Sequence, residues 1–383
     1  MHDGCATFFK KSTFECEAVV PVEYLVPGVS SLDRDNVAVL LLLRPKYQLP
    51  SEEQTHSGKL CVANTHLLFN PRRGDVKLAQ LMKLFAEIDR LAYQPCPAGP
   101  CHRNHHPVLI CGDMNMEPFS HLYKFIRAGK LVLKGQSAAK LSGQELSWSC
   151  GYRRPIMAGF LGRHAGLTDQ CQYISVCQER FNKVSSQTDD TSCTDDVPEH
   201  FTSFSENLIF TQGSGTVSHK FGFDSVYAHQ VPVDNNRGQQ HRRKPAREVT
   251  TFHTRANCTV DYIFYTPSVS AVNHPENDCC PNSASKTIDS ASDGQSSNAH
   301  QGNLSSSDAA STLANSNGSL SSVPQETSVG NAMCEVADYK LTLLARLQLL
   351  TNKEMKEIGK LPNQFISSDH LILAAQFLLT NGP

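Results

Sequence analysis

Four short segments of the 383-residue chain place polar side chains beside apolar, strand-like runs. They are NTHLLFNPRR (residues 64–73), GDMN (112–115), TVDYIFYT (259–266) and SSDHLILAAQF (367–377). Because alternate residues of an extended segment point the same way, Asp113 and Asn115 bring a carboxylate and an amide together. The candidate functional side chains are His66, Asp113, Asn115, Asp261, Asp369 and His370.

These residue types suit phosphate chemistry. Oxygen ligands favour Mg²⁺, which keeps waters and takes one or two carboxylates plus substrate phosphate. A histidine that is oriented by a carboxylate suits proton transfer, or stabilisation of charge that develops on a phosphorus centre. The sequence therefore indicates a metal-assisted phosphoesterase.

Each segment also has a purely structural interpretation. Gly-Asp-x-Asn after a strand is commonly a turn with side-chain caps, and Asp261 can simply partner a buried Arg or His. His66 can be a strand-end histidine, and Asp369 with His370 can cap a strand. The occurrence of all four segments in one order favours the catalytic interpretation.

Strands alternate with helical periodicity around these segments. Apolar runs predict strands over residues 14–24, 37–43, 60–64 and 107–112. From Asp75 onward, apolar residues recur at helical spacing and predict an amphipathic helix. Its apolar positions are Leu78, Leu81, Phe85, Ile88 and Ala92. This alternation favours an α/β sandwich.

Composition divides the chain into ordered and less ordered stretches. Residues 1–266 are predicted to form part of one domain, with a weakly ordered insert at about 135–200. Residues 267–335 are rich in Ser and Asn and nearly free of aromatic residues, so we predict a disordered insertion. Residues 336–383 end in an apolar strand and are predicted to complete the same domain.

Bulk properties exclude several classes of protein. With 35 basic and 37 acidic residues, any nucleic-acid contact must come from a local basic cleft. The longest apolar run, residues 37–43, is too short to span a bilayer, so no membrane partner is expected. The fourteen cysteines are scattered and no signal peptide precedes them, which predicts reduced thiols and a cytoplasmic or nuclear protein.

The ordered set of motifs resembles the endonuclease/exonuclease/phosphatase superfamily. DGCATFFK, LDRDNVAVLLLL, NTHLLFNPRRGDVKLAQL and TVDYIFYT are most similar to the Angel proteins, in the carbon-catabolite-repressor/nocturnin branch. The resemblance covers residues 3 to about 130, 220–266 and 339–379. It implies a two-sheet α/β sandwich with outer helices and a site where the sheet edges meet.

The resemblance also implies residue roles. Asp113 and Asn115 match the pair that activates water and stabilises pentacovalent phosphorus. Asp261 matches the carboxylate that orients the catalytic histidine, and His370 matches that histidine. Asp369 matches a residue that assists metal binding. Three positions match residues that contact phosphate or lie near the substrate, namely His66, Asn36 and Pro71.

Two departures from the family pattern shape the expected activity. The superfamily's first strands and its Leu-Gln-Glu metal ligand have no counterpart before DGCATFFK, so we expect an N-terminally truncated domain that lacks the main Mg²⁺ ligand. An aromatic residue that stacks on a base in poly(A)-specific relatives is replaced by Ala256, although Phe252 is near. This favours the 2′,3′-cyclic phosphatase activity associated with Angel proteins.

The predicted function is therefore a Mg²⁺-dependent phosphoesterase for RNA 3′ ends, either a 2′,3′-cyclic phosphatase or a 3′–5′ exoribonuclease. Its expected partners are RNA and proteins of RNA processing or translation. One alternative is a catalytically silent isoform that keeps an RNA- or protein-binding surface. Another is a lipid or inositol-phosphate phosphatase, which the segments LLFNPRRGDVKL and DYIFY disfavour.

Two further clusters have open interpretations. Cys96, Cys101 and His102, with His105 and His106, can bind zinc, but the proline-rich loop is more typical of a surface insertion. The run HRRKPAR, residues 241–247, can contact RNA phosphates or form a solvated loop.

Deletion of residues 267–335 is expected to leave soluble expression and any RNA binding unchanged, because so polar a stretch buries almost no apolar surface. Expression yield and RNA affinity of the shortened chain test this. A large loss of solubility would contradict the prediction.

Overall fold

A six-stranded sheet forms the centre of the protein. The computed structural model describes residues 4–46, 58–94, 105–144, 154–187, 211–227, 229, 247–254, 256–267 and 339–381. Four predicted features therefore lie outside the described residues, wholly or in large part: the insertion from residue 268 onward, residues 188–200, the Cys96–Cys101 loop and the basic residues 241–246.

The central sheet is mostly antiparallel, and its strands match the predicted apolar runs. The strands are β1 (Phe14–Glu23), β2 (Val37–Pro45), β3 (Leu60–His66), β4 (Val108–Asp113), β7 (Asp224–Ser225) and β10 (Asp261–Tyr265). Their order across the sheet is β1-β2-β3-β4-β10-β7. Among the pairs of this sheet, only β3–β4 is parallel. A parallel pair needs a crossover connection, which is supplied here by α1 (Gly74–Ala92).

The predicted amphipathic helix is confirmed as α1, which lies against β2 and β3. All five of its predicted apolar positions are buried. The helix is also covered on its other sides, so that even the polar residues Lys77, Gln80 and Asp89 are buried. Burial of these three groups requires internal hydrogen bonds, and those of Lys77 and Gln80 reach the site described below.

Smaller elements surround this layer. Two-stranded sheets pair β5 (Lys130–Val132) with β6 (Thr216–Ser218), β8 (Thr251–Phe252) with β9 (Asn257–Cys258), and β11 (Tyr339–Arg346) with β12 (Ala375–Asn381). Within the described ranges, the other α-helices are α2 (His121–Ala128), α3 (Ala138–Leu141), α4 (Ile174–Gln187) and α5 (Asn352–Ile358). The predicted mixed α/β class is confirmed.

The β11–β12 hairpin packs on the β10 side of the central sheet. The rings of Tyr265 and Phe377 lie 5.1 Å apart, and Leu341 is buried in the same apolar cluster. The Tyr227 hydroxyl donates to the carbonyl of Ala374 at 3.3 Å. The elements on either side of residues 271–333 therefore belong to one compact unit.

Residues from about 135 to 200 are more ordered, where described, than their composition indicates. This stretch contains α3 and α4, and Leu141, Ile156 and Leu167 are buried in the main core. Arg180 of α4 donates to the Asp89 carboxylate at 2.7 Å. Sequence periodicity does not detect these elements, because their apolar residues follow no single period. Weak order of the insert as a whole stays a prediction.

No helix in the described part of the chain is both long and apolar enough to cross a membrane.

The end of β4 depends on a glycine. Gly112 has φ of +143°, and a Cβ there would lie 1.9 Å from the carbonyl oxygen of Thr65 on β3. Gly112→Ala is therefore expected to lower the free energy of unfolding by at least about 2 kcal/mol, since both backbone strain and a backbone clash oppose it.

Gly28→Ala is the matched control for this substitution. Gly28 also has positive φ, +81°, but a Cβ there would meet nothing within 4 Å. It should cost only the conformational strain, about 1 kcal/mol. Denaturant titration of both variants measures the difference, and equal losses would contradict the clash.

Candidate active site

Three adjacent strands bring their polar residues to the same level at one end of the central sheet. In the parallel β3–β4 register His66 is opposite Asp113, and in the antiparallel β4–β10 register Asp113 is opposite Asp261. Directly opposed residues point to the same face of a sheet. The two carboxylates and the His66 imidazole therefore form a row, in which His66 Nε2 lies 3.5 Å from Asp113 Oδ2.

The GDMN turn is held by its own side chains. The Asp113 carboxylate accepts the backbone N–H of Asn115 at 2.8 Å, and the Asn115 side-chain amide donates to the Leu67 carbonyl at 2.9 Å. Asn115 has φ of +46°, in the left-handed region that Asn tolerates better than most residues. The turn thus fixes Asp113 and Asn115 together beside the end of β3.

His370 reaches this row from a distant part of the chain. His370 forms an isolated antiparallel β-bridge with Thr251. The Thr251 hydroxyl donates to the Asp369 carbonyl at 2.8 Å. His370 Nδ1 lies 2.8 Å from Asp261 Oδ2, and Nε2 lies 3.9 Å from Asp113 Oδ2. The imidazole ring is therefore held between the two carboxylates.

Charge coupling shifts the proton equilibria of this cluster. Burial and the negative charge of Asp261 raise the pKa of Asp113 to about 6. The hydrogen bond that His370 donates to Asp261, opposed by burial, raises the pKa of His370 to about 9. At neutral pH the Asp113 carboxylate is thus largely ionised and His370 is an imidazolium that donates from Nδ1 to Asp261.

A cleft of about 660 Å³ opens over the cluster. Seven of the eight predicted site residues line it: Asn36, His66, Asp113, Asn115, Asp261, Asp369 and His370. Of these, Asp369 is exposed. Pro71 is not among the residues that line it, and its carbonyl accepts from the Ser142 hydroxyl at 3.3 Å. The structure therefore brings all the predicted site residues except Pro71 to one cleft, while their catalytic roles stay predictions.

Several residues that support the site were not singled out from the sequence. Lys77 and Gln80 of α1 lie beneath it, Thr250 accepts the N–H of Asp261 at 3.2 Å, and Gln144 lines the cleft. Lys77 and Gln80 lie on the buried face of a helix whose pattern marks only its apolar residues. The one sequence signal for Lys77 and Gln80 is that both lie in GDVKLAQL, which is part of the longest segment that resembles the family.

The donor set fits a divalent cation. Oxygen or nitrogen atoms of Asp113, Asp261 and His370 lie within 4.8 Å of one another, and the two carboxylates repel each other. A cation with oxygen ligands would relieve that repulsion. Asp113, with Asp261 and the exposed Asp369 nearby, can supply carboxylates to it.

The two other clusters have structural roles where they are described. His105 hydrogen-bonds the Asp89 carboxylate at 2.9 Å and packs against Phe221. His106 contacts the Gln94 side-chain amide at 3.1 Å. Arg247, the last residue of the basic run, is paired with Glu117 at 2.5 Å. These contacts favour the surface-insertion interpretation for the Cys/His loop.

Comparison with known proteins identifies relatives along nearly the whole chain, although no family model matches it. The chain is 34% identical to human protein angel homolog 2 and 32% identical to rat protein angel homolog 1, each over 98% of its length. It spans about half of those relatives, 54% and 50% respectively.

A solved structure agrees with both fold and sequence. The crystal structure of ANGEL2, a 2′,3′-cyclic phosphatase, in complex with adenosine-2′,3′-vanadate matches with a TM-score of 0.57 and 32% identity. The match covers 96% of this chain and 68% of that one. The chain belongs to the Angel family of the endonuclease/exonuclease/phosphatase fold.

Proposed function

We propose that this chain is a Mg²⁺-dependent phosphoesterase that opens 2′,3′-cyclic phosphates at RNA 3′ ends. The observation that carries the proposal is the Asp261–His370–Asp113 cluster: an imidazolium held by one carboxylate and facing a second carboxylate of raised pKa. The relative of similar fold is described as a 2′,3′-cyclic phosphatase. RNA is accordingly the proposed partner.

Asp113 is the proposed general base. A pKa of about 6 leaves the carboxylate ionised at neutral pH, yet basic enough to accept a proton efficiently. Water attacks phosphorus and its proton passes to Asp113. One bond from phosphorus to a ribose oxygen breaks, that oxygen takes up a proton as a hydroxyl, and a phosphomonoester remains on the other ribose oxygen.

The remaining residues stabilise charge and hold substrate. The His370 imidazolium places positive charge beside the developing negative charge on the phosphate oxygens. The Asn115 amide uses one hydrogen for Leu67 and has a second that can donate to phosphate. His66, beside Asp113, and Asn36 also line the cleft and are the proposed phosphate and substrate contacts.

Mg²⁺ fits this proposal because it favours carboxylate ligands and retains waters. Asp369 and Asp261 would hold it, which leaves Asp113 available as the base, and when bound it would supply positive charge that polarises the phosphate.

The cleft wall favours a cyclic phosphatase over an exoribonuclease. Ala256, at the position that the resemblance matches to the base-stacking aromatic residue of poly(A)-specific relatives, lines the cleft. Phe252 packs instead against the apolar cluster of Val249, Met355 and Leu361. Without stacking at this position, binding of an adenine tract loses about 1–3 kcal/mol per base.

Asp113→Asn is expected to lower kcat for a 5′-labelled oligonucleotide ending in a 2′,3′-cyclic phosphate by about 10²–10⁴, because it removes the proposed base. His370→Gln should lower kcat by about 10²–10³, since it removes the imidazolium. Gel separation of products with Mg²⁺ present measures both rates, and chelation of the metal should stop the reaction.

Asp224→Asn is the matched control for these variants, because Asp224 pairs with Arg127 on the surface and should be silent. Products shortened by whole nucleotides would assign the exoribonuclease activity instead. RNA binding without any hydrolysis would support the silent binding module.

Asp261→Asn is expected to lower the pKa of His370 from about 9 towards its ordinary value near 6.5, because it removes the acceptor carboxylate. The wild-type imidazolium persists until pH approaches 9, whereas the variant's is lost above pH 6.5. The rate deficit of the variant should therefore grow as pH rises from about 6 to 8.5.

NMR titration of the His370 ring in the metal-free chain measures this shift directly. A His253→Gln background removes one neighbouring cleft imidazole from the spectrum. An unchanged titration midpoint in Asp261→Asn would show that the Asp261 contact does not control the histidine.

A further inference from the structure

Helix α1 buries two polar side chains beneath the cleft. Lys77 and Gln80, one helical turn apart, are each fully buried. A buried ammonium group costs several kcal/mol of desolvation even after relaxation, and apolar side chains at such positions commonly give equal or greater stability. Their presence therefore requires an explanation beyond packing.

Lys77 contacts the turn that carries the proposed base. Its Nζ donates to the Asn115 carbonyl at 2.5 Å and to Gln144 Oε1 at 2.8 Å. Asn115 holds a left-handed backbone conformation, which costs free energy unless its surroundings fix it. The hydrogen bond from Lys77 Nζ helps to fix this carbonyl.

Gln80 contacts Asn36 and the segment that follows His66. Its Oε1 accepts the backbone N–H of Leu68 at 2.9 Å, and its Nε2 donates to Asn36 Oδ1 at 3.1 Å. The Asn36 amide in turn donates to the His66 carbonyl at 3.2 Å. One side chain thus orients both Asn36 and the segment that follows His66.

We propose that Lys77 and Gln80 are positioning residues that divide the cleft between them: Lys77 aligns the Asp113–Asn115 turn for the chemical step, and Gln80 aligns Asn36 and His66 for substrate binding. This inference rests on the proposed function for its kinetic consequences, but its structural consequences do not depend on that function. The two residues share no direct hydrogen-bond partner among the described contacts, so their kinetic effects should differ in kind. The Leu67–Leu68 peptide, which bonds both Asn115 and Gln80, couples the two effects.

Lys77→Met keeps the apolar stem and removes the ammonium. It should lower kcat about 10- to 100-fold, because misplacing a reacting group by about 1 Å costs about 10² in rate. KM should stay within about threefold of the wild-type value. Gln80→Met should show the reverse, with KM raised about 10-fold and kcat within about threefold.

Two comparisons separate positioning from general stability. Lys83→Met, a half-buried lysine of the same helix that does not line the cleft, should change neither constant. Lys77→Gln keeps a donor for the Asn115 carbonyl and should recover part of the lost kcat. If Lys77→Met does not fold, Lys77→Leu takes its place as the variant without a donor, and a wild-type kcat in that variant together with unaltered exchange in the turn overturns the proposal.

Amide hydrogen exchange gives a readout without substrate. Lys77→Met should accelerate exchange in residues 111–118, and Gln80→Met in residues 66–70, with β1 and α2 unchanged. Wild-type exchange and wild-type kinetic constants in both variants would overturn the proposal, as would uniform acceleration along the chain. Absence of hydrolysis by the wild type, with the local exchange changes present, would overturn the proposed function alone.

Discussion

The site depends on the antiparallel register of β4 and β10, which places Asp113 directly opposite Asp261. Two like charges at such a position destabilise a sheet unless positive charge compensates them. The His370 imidazolium supplies part of that compensation, since it hydrogen-bonds Asp261 and faces Asp113. Burial, together with the same repulsion, raises the pKa of Asp113 into the range useful for a general base. Burial and charge repulsion at this end of the sheet thus equip the site for chemistry.

The backbone around this pair is fixed by contacts from below and beside it. Gly112 allows β3 and β4 to approach more closely than any other residue would, and the Thr250 hydroxyl accepts the N–H groups of Val260 and Asp261. Buried polar side chains of α1 reach the loops that follow both strands. The geometry of the cluster is therefore set by the helix–sheet interface as much as by the cluster itself.

The described cleft also relates the Angel family fold to its variation in sequence. The structural match with ANGEL2 extends over 96% of this chain at 32% identity. A candidate site that is built from strand ends and backbone contacts can tolerate such divergence, because register and turn geometry determine where its polar groups lie.

The sequence by itself determined the α/β class, the strands of the apolar runs, helix α1 and the identities of the candidate residues. Period-two and period-3.6 patterns report local structure directly, and the four polar segments stand out against apolar runs. Family membership also followed from those motifs, since they occur in one order along the chain.

Only the tertiary structure decided how these residues meet. The 2.8 Å contact between Asp261 and His370 joins positions 109 residues apart, and the register of β4 against β10 is not encoded in either strand alone. The structure also placed Pro71 outside the cleft lining and Phe252 against an apolar cluster, and it showed helices within residues 135–144 and 154–187. Sequence patterns do not single out Lys77 and Gln80, because the role of a buried polar side chain depends on its hydrogen-bond partners. Those partners are distant in sequence. Local pattern fixes what each segment is, whereas long-range packing fixes what each polar group does.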